Sequence, residues 1–202
     1  GDLPGGRGIP RRRWLRALVA GSALLAASGH TPYRQWAIYR RKHLLILTLK
    51  GDGSYPVGKQ LAGHLAAILP ESAARVTRAP HRARVASLLA TRQLELALLE
   101  PALARQLAGE AVEPLGEPVP LSWLGEVGDY WLVAHREFHP NHAYRVVAAL
   151  DGAGDSGFQT APAGGALPLH EGVLAYQRGE PAPPPPVEVV DHDHDHGHGH
   201  SH

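Results

Sequence analysis

Two stretches of this 202-residue chain carry residue types at spacings that support chemistry. In the C-terminal stretch, Asp191 to His202, six histidines (His192, His194, His196, His198, His200 and His202) alternate with Asp, Gly and Ser. Neutral imidazoles are ligands for Zn²⁺, Ni²⁺ and Cu²⁺, and neighbouring carboxylates complete or orient such a set. Small residues between the ligands leave the backbone free to wrap an ion, so the order of this segment would come from the metal. An engineered tag is usually an uninterrupted run, so the alternation reads as native. The competing reading is an exposed low-complexity end that meets metal only by accident.

The second stretch, Lys50-Gly51-Asp52-Gly53-Ser54-Tyr55-Pro56, follows an apolar run and precedes a helical pattern. In open α/β sheets this junction is where ligands bind, and the free N–H groups of a helix start favour an anion. Gly51, Asp52, Gly53, Ser54 and Tyr55 are therefore the candidate ligand-binding residues. Ser54, Tyr55 and the backbone of Gly53 supply donors, Tyr55 walls a pocket, and Lys50, Lys59 or a bound cation must offset the charge of Asp52. The alternative is an ordinary strand-to-helix turn whose glycines serve geometry alone.

Other groups carry less. His135, His139 and His142 surround Phe138, but spacings of four and three converge on a metal only along one helix, and Pro140 falls between them. They are read as a solvated loop, and His170 as the maker of a structural hydrogen bond. No Gly-x-Ser-x-Gly elbow, His-Glu-x-x-His pair, dinucleotide loop or kinase set occurs. With no Cys in the chain, thiolate nucleophiles, disulfides and iron–sulfur clusters are excluded. A non-enzyme is expected, with no required cofactor and with Zn, Ni or Cu as the metals suited to the tail.

The elements that must position these residues follow from periodicity. Leu44–Leu49 is apolar on both faces, which suits a central strand covered by helices on each side. Val57, Leu61, Leu65 and Ile68 or Leu69 recur at helical spacing until Pro70. Arg75–Arg78 reads as a strand, His81–Gln93 as a helix, Leu94–Leu99 as a strand and Pro101–Leu107 as a short helix. This alternation predicts an α/β fold with a mostly parallel sheet and right-handed crossovers. Pro118–Leu124 and Tyr130–His135 add two strands around a turn at Gly125–Asp129. Pro140–Leu150 adds a helix, 151–168 a loop, and Leu169–Gln177 a last helix.

Charge is unevenly placed. Residues 1–50 hold ten Lys/Arg against one acid, a net of +9, and residues 51–202 hold ten against eighteen, a net of −8. The folded part is acidic, so a nucleic-acid partner is excluded. Basic Pro10–Arg16 precedes a thirteen-residue apolar run, Ala17–Gly29, too short for a stable span and similar to a secretory signal. Its Arg-Arg-Arg-Trp-Leu-Arg string resembles the twin-arginine export motif, with Pro10 where Ser or Thr is usual. The expected organisation is an export signal or membrane anchor (1–29), a basic juxtamembrane linker (30–43), an α/β domain (44–178), a Pro-rich spacer (179–190) and the His-rich tail (191–202).

Four strings resemble the solute-binding subunits of TRAP transporters of the TAXI type. They are Leu44–Pro56, the following helix with Gly58, Val85–Leu99, and Pro168-Leu169-His170-Glu171-Gly172-Val173-Leu174-Ala175-Tyr176, similar to the family's Pro-Leu-His-x-Gly-x-x-x-Tyr ending. Tyr130–Leu150 resembles the approach to that ending. The resemblance implies a hinged, periplasmic binding protein-like α/β fold. It also implies export to the periplasm, capture of a small organic acid or amino acid, and hand-over to permease subunits in the inner membrane. The family's body is about twice as long, so the stretch here implies a single lobe or a reduced second one. A different reading keeps one lobe as an accessory docking module and uses the tail to hold divalent metal.

Overall fold

The computed structural model describes residues 43–186 other than 114, 163 and 164. The expected leader and the tail with its six histidines lie outside the described residues. The chain runs β1 (Leu45–Leu49), α1 (Ser54–Ile68), β2 (Arg75–Ala79), α2 (Arg82–Ala90), β3 (Leu96–Leu99) and α3 (Pro101–Gly109). It continues through β4 (Leu121–Val127), β5 (Tyr130–His135), α4 (Pro140–Gly152), β6 (Phe158–Thr160) and α5 (Glu171–Gln177). The strands form one open sheet in the order β2-β1-β3-β5-β4-β6, flanked by helices.

The sheet is mixed, which corrects the expectation of a mostly parallel one. β1 is parallel to β2 and β3, but the β3–β5, β5–β4 and β4–β6 pairs are antiparallel. Gly128-Asp129, with Gly128 at φ 56°, leaves only two residues between β4 and β5. A connection that short can only reverse the chain, whereas a parallel neighbour needs a crossover of about a dozen residues or more. The stretch 151–168, expected as loop, contributes the short edge strand β6.

Side chains alternate between two buried layers. Leu45, Leu47, Ala97, Leu99, Trp131 and Val133 face α2 and α3, and Ile46, Leu96, Leu98, Leu132 and Ala134 face α1, α4 and α5. Burial on both faces is why the β1 and β3 sequences read as unbroken apolar runs. In β4 the alternation breaks: Leu121 and Trp123 lie in the first layer, but Leu124 and Val127 in the second. A register shift between Trp123 and Gly125 produces this change of face. Gly125 is needed there, because a Cβ would sit 2.3 Å from the Phe158 ring and 2.4 Å from the Gln159 carbonyl.

Three helices begin on a histidine. The Nδ1 of His81, His139 and His170 accepts from the backbone N–H of Arg84, Asn141 and Gly172, each at 3.2 Å. Pro101 and Pro140 occupy first-turn positions, where their missing N–H costs no helical bond. The family-like ending is a structural unit. Trp123 N–H donates to Pro168 O, His170 N–H donates to Trp123 O, and a Cβ on Gly172 would meet Pro140 O at 2.2 Å. The proline segment, expected as a weakly ordered spacer, is tied to α4 at its start. Asn141 Nδ2 donates to Pro183 O at 2.6 Å, and the Tyr144 hydroxyl donates to Glu180 O at 3.0 Å.

Candidate functional site

β2 and β3 lie on opposite sides of β1, so the chain winds away from β1 in both directions. Such a switch point opens a crevice at the carboxyl ends of the strands, the usual ligand position in open α/β sheets. The loop with Gly51, Asp52, Gly53, Ser54 and Tyr55 lies there, and the structure brings all five together. Gly51 (φ 92°) and Gly53 (φ 82°) take left-handed conformations that favour glycine. Asp52 Oδ1 accepts from the Ser54 N–H at 2.9 Å and the Ser54 hydroxyl at 2.6 Å. The first free N–H of α1 is therefore served by the chain's own carboxylate. The Tyr55 ring carries the Arg78 guanidinium, 4.2 Å from its centroid.

The crevice is also occupied from the other strand. Tyr130, first residue of β5, donates from its hydroxyl to Asp52 O at 2.7 Å. A Cβ on Gly53 would lie 2.8 Å from that hydroxyl. Burial pushes the Tyr130 hydroxyl pKa up, and Asp52, Glu100 and Asp129 add to the rise in that order. Three carboxylates thus act on this end of the sheet, and neither Lys50 nor Lys59 pairs with Asp52. These three charges oppose a second anion beside the Tyr130 hydroxyl.

A second opening lies beside α3. A cleft of about 510 Å³ is lined by Arg105, Ala108 and Gly109 of α3, by 118–121 leading into β4, by Arg136 just past β5, and by 166–168. Val119, Leu121 and Leu167 are its buried lining residues. Short backbone bonds set the walls: Val119 N–H to Leu107 O and Arg136 N–H to Pro120 O, both 2.7 Å. Pro118, Pro120 and Pro168 have no N–H to offer a guest, so donors come mainly from the two guanidinium groups. Arg105 lies over the Trp131 ring, 5.1 Å from its centroid. Among the described residues neither arginine forms an ion pair. Sequence reasoning passed over this pair because two arginines 31 positions apart carry no local signal. Only the end of β5 and the middle of α3 bring them to one opening.

The three histidines read as a solvated loop separate into three roles. His135 is buried at the end of β5, and its Nδ1 accepts from Glu137 N–H at 3.1 Å. Burial first, and then Arg92, holds its pKa below the usual range. His139 caps α4, and His142 is exposed on the first turn of that helix. Because Pro140 is the first helical residue rather than a break, His139 and His142 do lie along one helix start. His170, expected to make a structural hydrogen bond, makes one as the cap of α5. It is 2% exposed, and burial lowers its pKa, opposed in part by the Phe138 backbone and Glu171.

Among the described residues no helix is long and apolar enough to cross a membrane, and no group of three or more His, Asp or Glu converges as a metal site. In comparison with known proteins, the chain matches no family model and no curated protein.

Proposed function

We propose that this chain is a single-lobe, binding protein-like receptor that captures a small organic acid in the Arg105–Arg136 cleft. The cleft carries the reading: a hollow of about 510 Å³, its wall polar and apolar in equal measure, with two arginines lacking carboxylate partners among the described residues. Its size is within the usual range for small-molecule sites of about 300–1,000 Å³. A guanidinium binds a carboxylate through two parallel N–H···O bonds, a match no other side chain supplies. Scarcity of backbone donors in the walls selects a guest with an apolar body and one or two acidic ends. In the switch-point crevice Asp52, Glu100 and Asp129 oppose the same guest. The TAXI-type strings support export and delivery to a membrane permease as the setting for this capture.

The test is a thermal-melt screen of the full chain against mono- and dicarboxylates with aliphatic or aromatic bodies. A guest that binds the native state raises the melting midpoint. Arg105→Gln or Arg136→Gln should weaken the responding acid about 10- to 100-fold, the equivalent of losing a charged hydrogen-bonded contact of roughly 1.5–3 kcal/mol. Ser54→Ala should leave its affinity unchanged. If no acid shifts the melt, the receptor reading fails. If Ser54→Ala removes the shift and the arginine variants do not, the solute belongs in the Gly51–Tyr55 loop.

A further inference from the structure

β2 is the outermost strand on the parallel side of the sheet, and among the described residues no strand pairs with its far edge. Arg75 N–H donates to Leu44 O at 2.9 Å, and Ala79 O accepts from Lys50 N–H at 2.9 Å. Bonding alternates along a parallel ladder, so Arg75, Thr77 and Ala79 serve β1. The N–H and C=O groups of Val76 and Arg78 therefore point outward. Among the described residues these main-chain groups have no partner.

The side chains along this edge are basic. Between Glu71 and Glu95 the sequence has five arginines and no acid. Arg75 and Arg78 of β2, and Arg82 and Arg84 of α2, are all exposed. None of these four forms an ion pair among the described residues, whereas Arg92 is held by Glu95 and Glu137. The strand's alternation spreads the charge over both faces. Ala79 belongs to the layer under α2 and Val76 to the layer under α1, so Arg75 stands on the first face and Arg78 on the second. Arg78 lies over the Tyr55 ring of α1, 4.2 Å from its centroid. Arg82 and Arg84 occupy the first turn of α2, where the helix field disfavours cations and no acidic residue offsets them.

An open strand edge is a template for an added strand, and its charges select which one. The same edge of a second copy would bring the same arginines and be repelled. An extended segment with carboxylates on both of its faces is attracted. We propose that the outer edge of β2 is a docking site for an extended acidic segment of a partner protein, which joins the sheet as an added strand. The partner's main chain bonds to Val76 and Arg78, and its Asp or Glu side chains meet Arg75 on one face and Arg78 on the other. Arg82 and Arg84 extend the basic surface past the end of the strand. β1 and β3 separate this edge from β5 and the cleft beside it, so the docking site is independent of the solute reading.

The probe is a short fluorescent peptide, Thr-Glu-Glu-Val-Glu-Glu-Thr, blocked at both ends and titrated with the full chain by fluorescence anisotropy. Two further versions are N-methylated on alternate residues, the even set in one and the odd set in the other. All three peptides carry the same charge, so the basic residues of 1–50 attract them equally. A strand at a sheet edge uses the N–H groups of alternate residues only. One methylated version should therefore bind like the parent, and the other should lose about tenfold or more. Arg75→Gln with Arg78→Gln should also weaken the parent about tenfold or more, with circular dichroism checking the fold. Arg105→Gln, in the cleft, should leave peptide binding unchanged. The proposal is overturned if the two methylated peptides behave alike, since the attraction is then charge alone, as to any polyanion or anionic lipid surface. It is equally overturned if the Arg75/Arg78 variant binds as wild type does, which places the peptide elsewhere, or if the parent peptide fails to bind at millimolar concentration.

Discussion

The contact between Gly53 and Tyr130 decides whether the switch-point crevice is open or filled, and a double-mutant cycle measures it. Gly53→Ala asks a Cβ-bearing residue to hold φ 82°, which costs about 1–2 kcal/mol. Its Cβ would also lie 2.8 Å from the Tyr130 hydroxyl, so the ring end must retreat by several tenths of an ångström. That movement stretches the 2.7 Å bond to Asp52 O, worth about 0.5–1.5 kcal/mol. The single variant should therefore lose roughly 2–3 kcal/mol in all. Tyr130→Phe alone should lose about 1 kcal/mol, the hydrogen bond without the backbone strain. In the double variant the hydroxyl is already gone and the clash with it. Its loss should fall short of the sum of the singles by about 1 kcal/mol. Urea unfolding of the four full-length chains, followed by near-ultraviolet dichroism of the buried Trp123–Trp131 pair, supplies the free energies. Additivity within about 0.3 kcal/mol would show that Tyr130 does not close the crevice and would refute the packing argument.

Two further outcomes follow from the same geometry. His135 and His170 are both held below their ordinary pKa, so the unfolded chain takes up their protons first as pH falls. Stability should be flat above about pH 6.5 and decline below it, by up to about 1.4 kcal/mol per pH unit for each histidine, until the folded-state values are passed. His170→Asn, which retains a capping side chain, should make that decline shallower in urea titrations at pH 7.5 and 5.5. An unchanged slope would count against the buried imidazole as its source. Gly172→Ala puts a Cβ 2.2 Å from Pro140 O and 2.7 Å from Tyr144 N, both backbone atoms that cannot rotate away. The α4–α5 contact must open, at a cost of about 3 kcal/mol, seen as a drop of roughly 6–12 °C in the melting midpoint. A drop under 2 °C would show that the Pro-Leu-His-x-Gly ending is not packed as described.

The local elements were legible in the sequence, because they are set by the pattern of a few residues at a time. Tyr130–His135 as a strand, the helix from Pro140 and the helix stop at Pro70 follow from periodicity and proline chemistry alone. Double-sided burial of β1 was legible in Leu44–Leu49 for the same reason. The length of β4 was less so. Gly125, expected in a turn, lies inside the strand at a register shift, against Phe158 and Gln159 of a distant strand.

For the candidate sites the division is sharper. Sequence placed the Gly51–Tyr55 loop between the carboxyl end of a strand and the start of a helix, and only the strand order made that junction a switch point. It did not reveal that Tyr130, 78 residues from Asp52, reaches across to fill the space above Gly53. Nor did it show Arg105 and Arg136 lining one cleft, or the proline segment returning to lie beside His139 and His142. Backbone preference and hydrophobic period act over one or two turns, so the chain encodes them locally. A cavity or a plugged crevice exists only where separate elements meet, and which side chains meet there is decided by the packing of the whole sheet.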